Sequence, residues 1–223
     1  CLSTVGLSAA DWPCWRGDGS GSGQDCGKPM LADLSKATWA WESEERQMSS
    51  CYGHLQGGIG CMAVAEGTIF HPYAYPGGQA DAAFMATLIE KYTQVLAAKG
   101  SKEETCLQRW IGSSGLTPQQ FAEVMARPLM HDHVVAIDAA TGKTRWTFEA
   151  PTARTNVYGR TIDGKLGSLC KTYKPKAGPH NTPAAAYGKV AVIGYGGLPY
   201  CLDASNGKKL WQVEAIPHKT PVE

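Results

Sequence analysis

Apolar and polar positions follow a strand period in two long stretches of this chain and a helical period between them. Val134 to Ala150, VVAIDAATGKTRWTFEA, reads as a strand, a tight turn and a second strand. Pro199 to Ala215, PYCLDASNGKKLWQVEA, reads the same way. Asp138, Ala139, Gly142, Lys143 and Trp146 recur as Asp203, Ala204, Gly207, Lys208 and Trp211, all at one constant offset. Identities that share an offset mark an internal repeat rather than two unrelated hairpins. Upstream of the second hairpin, a turn at Gly188 leads into the apolar run Lys189 to Ile193. Upstream of the first, a turn at Gly67 leads into Thr68-Ile69-Phe70. Each unit is therefore four short strands joined by Gly-centred turns.

The chemistry of the repeat is local. Asp138 and Asp203 can accept hydrogen bonds from backbone N–H groups of their own turns. Gly142 and Gly207 permit a positive φ at the tight position. Trp146 and Trp211 return on the following strand, each with a wide apolar face and one N–H donor. A lone four-stranded unit leaves both sheet faces uncovered, so it needs neighbours.

The first unit is interrupted. Phe84, Leu88, Tyr92, Val95 and Leu96 form one helical stripe that Gly100 ends. Ser101 to Glu104 reads as a capping box that opens a second helix through Trp110. Thr117 to Gln120 opens a third, with Pro118 at its first turn, and Arg127-Pro128 ends it. Upstream, KATWAWESE places Trp39 and Trp41 on one face of an expected strand. The organisation that follows is 1–10 as a signal-peptide tail or lipoprotein start and 11–58 as an opening segment with an outer strand. A first unit spans 59–150, interrupted by a helical insertion at 79–130, and a second unit with a polar tail spans 151–223.

Composition narrows the function classes. Lys plus Arg number 21 against 20 Asp plus Glu, so neither nucleic acid nor an acidic membrane surface is an expected partner. No apolar run reaches the length of a transmembrane helix. The 26 Gly and 7 Trp suit a turn-rich β protein better than a helical bundle. Ser8-Ala9-Ala10 fits a signal-peptidase site, or Cys1 is a lipidated first residue, and both readings export the protein to the periplasm or beyond. Eight scattered cysteines fit an oxidising compartment. The candidate bridges are Cys14 with Cys26, Cys51 with Cys61, and Cys170 with Cys201. Cys106, on the second helix, is expected to be free and buried.

Constellations with possible chemistry are few. His131-Asp132-His133 would put both imidazoles on one strand face, but no third ligand is placed by the sequence. A solvated strand start is favoured and no metal site is assigned. His54 near Cys51 and Cys61, and His180, suggest a Cys–His pair less readily than disulfides. GYGG, GSGSGQ and GKPM are not phosphate loops. Lys171, Tyr173, Lys174 and Lys176 read as a solvated loop.

The two hairpins resemble the tryptophan-docking repeats of pyrroloquinoline quinone (PQQ)-binding-like β-propellers, written A-x-D-x-x-T-G-x-x-x-W. Ala136 to Trp146 fits the pattern throughout; Cys201 and Asn206 depart from it in the second copy. DWPCWRGDGSG is similar to the aromatic opening of exported members. The resemblance implies an all-β, partial propeller of two four-stranded blades with a small α-helical insertion. It implies that Trp146 and Trp211 are buried against the next blade. The remaining blades, from a downstream chain or a partner chain, would complete the ring. Two functions follow. One is a non-catalytic binding or scaffold propeller, favoured because the vicinal Cys-Cys of the alcohol dehydrogenases is absent. The other is a quinoprotein dehydrogenase using PQQ and calcium, for which a complete propeller would be needed and no catalytic residue can be assigned.

Overall fold

A computed structural model describes residues 33–44, 62–155, 182–195 and 197–213. Among these residues eight strands form two antiparallel sheets, β1-β2-β3-β4 and β5-β6-β7-β8. The first comprises β1 (Ala63–Ala65), β2 (Thr68–Gly77), β3 (Leu129–Asp138) and β4 (Thr144–Thr155). The second comprises β5 (Ala184–Ala186), β6 (Lys189–Ile193), β7 (Pro199–Asp203) and β8 (Lys209–Gln212). Three helices, α1 (Ala82–Ala97), α2 (Lys102–Ser114) and α3 (Pro118–Met125), lie between β2 and β3. Among the described residues no helix is long and apolar enough to cross a membrane.

The sheets repeat one another in detail. The β1–β2 turn places Glu66 and Gly67 at φ 49° and 68°, and the β5–β6 turn places Tyr187 and Gly188 at 52° and 67°. Two successive positive φ values are the signature of the hairpin turn whose twist matches its strands. In the next hairpin, Ala136 pairs with Trp146, and Cys201 pairs with Trp211. Both ladders slip just after that pair. Asp138 N–H donates to Lys143 O at 2.8 Å, and Asp203 N–H to Lys208 O at the same distance. The hairpins are also tied to the turns before them, Ala139 N–H to Gly67 O at 3.0 Å and Ala204 N–H to Gly188 O at 2.9 Å.

Strand alternation divides the core in two. Phe70, Val134 and Ala136 pack with Val190, Val192, Tyr200 and Leu202, so that one face of the first sheet is buried against the second. Tyr73, Tyr75, Val135 and Ile137 point the other way and share a core with Leu88, Tyr92, Leu107 and Phe121 of the helices. β2 and β3 are twice as long as β6 and β7, ten residues against five.

The helices are bounded by their caps. Asp81, Ser101 and Thr117 accept from the backbone N–H three residues on, each satisfying a donor that the helix cannot. Thr117 and Gln120 form a reciprocal capping box. Ser101 does not: Glu104 Oε2 accepts from Gly100 N–H at 2.6 Å, one residue before the expected partner. α2 continues past Trp110 to Ser114, and Gly115, at φ 68°, ends it.

The segment at Trp39 and Trp41 departs from expectation. It forms no strand with any described residue; a 3-10 turn, Leu34–Lys36, precedes it. Trp39 is 94% exposed, whereas Trp41 packs on the helix-side core. Without ladder partners to impose alternation, the two rings need not share a face. Trp211 likewise differs from the expected buried residue. It is 49% exposed, because no described element lies on the outer face of β8.

Candidate functional site

The repeat residues build a contact between neighbouring units. Asp138 Oδ1 accepts from Ala140 N–H (3.0 Å), Thr141 N–H (2.9 Å) and Thr141 Oγ1 (3.0 Å), which folds the turn around the carboxylate. Its Oδ2 accepts from Arg145 Nη2 at 2.6 Å. The Arg145 hydrogen bond, followed by those from Thr141, holds the Asp138 carboxyl down at about 2. Asp203 Oδ1 accepts from Ser205 N–H (2.8 Å) and Ser205 Oγ (2.6 Å), and these bonds lower its pKa too. Leu210 stands where the first repeat has Arg145.

A turn wound this tightly exposes a carbonyl and a bare glycine to an aromatic ring. Trp146 Nε1–H donates to Ala204 O at 2.9 Å across the two sheets. The indole lies flat on Gly207, at φ 74°, where an added Cβ would come within 2.6 Å of Trp146 Cε3. The same arrangement occurs one unit earlier. Trp41 Nε1–H donates to Ala139 O at 3.0 Å, and a Cβ on Gly142, at φ 73°, would meet Trp41 Cε3 at 2.5 Å. Glu44 Oε2 also accepts from Thr144 N–H at 3.0 Å. Trp146 itself packs on Phe70, with ring centroids 5.9 Å apart.

Sequence reasoning missed Trp41 as a member of this series. A signal was present: Trp41, Trp146 and Trp211 are each followed three residues later by glutamate, at Glu44, Glu149 and Glu214.

A second polar group occupies the extended arms of β2 and β3. His131 and His133 share one strand face and Asp132 the other. The expected solvated strand start is not what forms. The His131 and His133 side chains are only 14% and 16% exposed, and Asp132 is buried. The helical insertion covers one face of these arms and the second sheet covers the other. His131 Nδ1 lies 2.5 Å from Glu149 Oε1, and His133 Nε2 lies 4.0 Å from the same oxygen. His133 stacks on Tyr73, centroids 5.0 Å apart, with Tyr75 edge-on at 6.1 Å. Burial pushes His71 down to about 4 and lowers His133 as well, against the pull of Glu149. Burial also pushes Tyr75 up to about 12. His71 Nδ1 and His133 Nε2 are buried with no hydrogen-bond partner among the described residues. Burial favours the neutral form of His71 and His133 in this interior cluster, and the His131–Glu149 contact ties the arms to β4.

Among the described residues, Asp132, Asp138, Glu149 and Asp203 do not fit the calcium ion of a quinoprotein. Calcium takes six to eight oxygens. Asp138 and Asp203 are each committed to their own turn. Glu149 is committed to His131, and Asp132 to the second sheet. Among the described residues, no three His, Cys, Asp or Glu are placed to hold a metal.

Two cysteine expectations are corrected. Cys201 is a free, buried thiol in β7, so it is not bridged to Cys170. It faces Ala191 and Trp211 across its ladders and fills the sheet as a small apolar residue would. Cys106 is disulfide-bonded rather than free. Cys14, Cys26, Cys51, Cys61 and Cys170 lie outside the described residues, as do His54, His180 and the run from Lys171 to Lys176.

Residues 130–220 match the family model described as "Outer membrane protein assembly factor BamB". These residues take in most of β3, all of β4 and the whole second sheet, and they are a PQQ-like repeat. The crystal structure of BamB from Moraxella catarrhalis matches with 22% sequence identity and a TM-score of 0.14. That match covers 36% of this chain and 30% of the BamB chain. The chain thus spans about a third of that structure's length. No curated protein matches the chain.

Proposed function

We propose that this chain belongs to an exported PQQ-like β-propeller that serves as a non-catalytic binding or scaffold module, of the kind the assembly-factor family name describes. The match over residues 130–220 carries the reading. The geometry supports it: two like sheets stack face to face, and an indole from each unit caps the turn of the next. Trp211 repeats the position of Trp146 on a face that receives no described element. Further blades, from the same polypeptide or a partner chain, would cover it.

The quinoprotein dehydrogenase reading draws no support from Asp132, Asp138, Glu149 and Asp203, each of which is already bonded within the fold. The test pairs two measurements on the full-length protein in its native host. One is titration with PQQ and calcium, followed by tryptophan fluorescence and a dye-linked dehydrogenase assay. The other is depletion of the protein with quantification of outer-membrane proteins. The proposal expects no saturable PQQ binding and a fall in outer-membrane protein levels. Saturable binding with dye reduction, or unchanged levels on depletion, would overturn it.

A further inference from the structure

The end of the sheet interface opposite the Trp146 contact is held by a carboxylate. Asp132 is 7% exposed and points from β3 into the second sheet. Its Oδ1 accepts from Tyr195 N–H, in the β6–β7 turn, at 2.6 Å. The turn approaches so closely that any side chain at Gly194 would run into the Asp132 carboxyl group. Met130, Ala74 and Tyr195 pack around the contact.

The groups facing Asp132 leave its charge poorly compensated. Its ladder partners are Ala74 on β2 and Ala150 on β4. From β7 comes Tyr200, whose hydroxyl is buried without a hydrogen-bond partner among the described residues, and from the turn comes Tyr195. His131, the adjacent residue on β3, exerts a weaker pull through its charge. A carboxylate removed from water usually needs two or three donors, and here the described residues provide one hydrogen bond. A neutral carboxyl keeps that bond without the cost of burying a charge.

We infer that the Asp132–Tyr195 contact is a proton-controlled latch between the two sheets, closed when the carboxyl is neutral and loosened when it gives up its proton to solvent. Burial first, opposed by the Tyr195 hydrogen bond and by His131, raises the Asp132 pKa to about 6. The sign follows from linkage. A carboxyl whose folded pKa is raised stabilises the closed contact fully below its unfolded value, near 3.8. That contribution is lost as pH rises through about 6. The proposal does not depend on the scaffold reading.

The experiment is hydrogen exchange at the Tyr195 amide in the full chain, corrected for intrinsic exchange rates, between about pH 4.5 and pH 8. The opening constant should rise roughly 30-fold over that range. Asp132→Asn keeps an acceptor for Tyr195 N–H but cannot ionise, so its opening should not vary with pH. His131→Gln, on the opposite strand face, should leave the wild-type rise in place. A flat wild-type profile, an Asp132→Asn profile that still rises, or loss of the rise in His131→Gln overturns the latch. If Asp132→Asn fails to fold, carbon NMR titration of the wild-type carboxyl decides: a midpoint near 6 supports the latch and one near 4 overturns it.

Discussion

Trp146 and Gly207 form the contact whose energetics can be tested most sharply. Trp146→Ala removes an indole that donates to Ala204 O and packs on Phe70. Losing a neutral hydrogen bond costs about 1 kcal/mol. Truncating a fully buried Trp costs about 3–5 kcal/mol, and this ring is partly exposed, so the total should be about 3 kcal/mol. Gly207→Ala carries two costs. A non-Gly residue at φ 74° costs about 1 kcal/mol whatever surrounds it. The new Cβ would sit 2.6 Å from Trp146 Cε3 and 2.9 Å from Cδ2, so ring or turn must shift, at about 1–3 kcal/mol more. In a Trp146→Ala background only the φ cost remains. The two substitutions should therefore be non-additive, the double mutant being about 1–3 kcal/mol more stable than the sum of the singles implies. Urea unfolding followed by far-UV circular dichroism measures this without relying on indole fluorescence. Additivity within about 0.5 kcal/mol would mean that the ring does not rest on the glycine.

Trp41→Ala should destabilise the first sheet by about 2–3 kcal/mol, through Ala139 and Gly142, and leave amide protection in β6 and β7 unchanged; equal loss in both sheets would contradict the unit-by-unit contact. The Thr141 amide, which donates to Asp138, should shift in an NMR titration with a midpoint near 2, since Arg145 and Thr141 lower that carboxyl to about 2. A depressed folded pKa contributes stability above the unfolded value and loses it as pH falls, so the hairpin should weaken below about pH 4, and a midpoint near 4 would remove Arg145 from the account. Cys201 should resist alkylation in native protein and react fully in denaturant, while Cys106 should react only after reduction; rapid native labelling of Cys201 would contradict its burial.

The features legible in the sequence are those whose causes are local. The Asp138 and Asp203 turns, the positive-φ glycines and the Thr117 cap are each set by side chains within a few residues of the backbone they serve. Strand alternation likewise separated His131 and His133 from Asp132. It could not say what covers either face, because the covers come from the helical insertion and from the second sheet. Trp41 was hidden for the same reason. Its carbonyl partner, Ala139, is 98 residues away, and nothing in KATWAWESE points there except the glutamate shared with the other two tryptophans. Its residue type and an exported setting point to Cys201 as half of a bridge. A buried position in a ladder serves a thiol equally well without a partner. The exposure of Trp211 depends on what stacks against β8, which its own hairpin does not determine.

The unequal hairpins set an order of assembly. The β6–β7 hairpin closes over residues 194–198, whereas β2 and β3 meet only across residues 78–128. A loop roughly tenfold longer costs about 2 kcal/mol more entropy to close, before any pairing repays it. The second sheet is built from neighbours in sequence and can form early. The first must wait for α1–α3 to shorten the distance between its central strands. The turn at Gly207 is then in place before β4 arrives, and Trp146 is the residue that registers the late sheet on the early one. Substitutions in β6 and β7 should therefore slow folding of the pair, and substitutions at the Trp146 contact should chiefly speed unfolding.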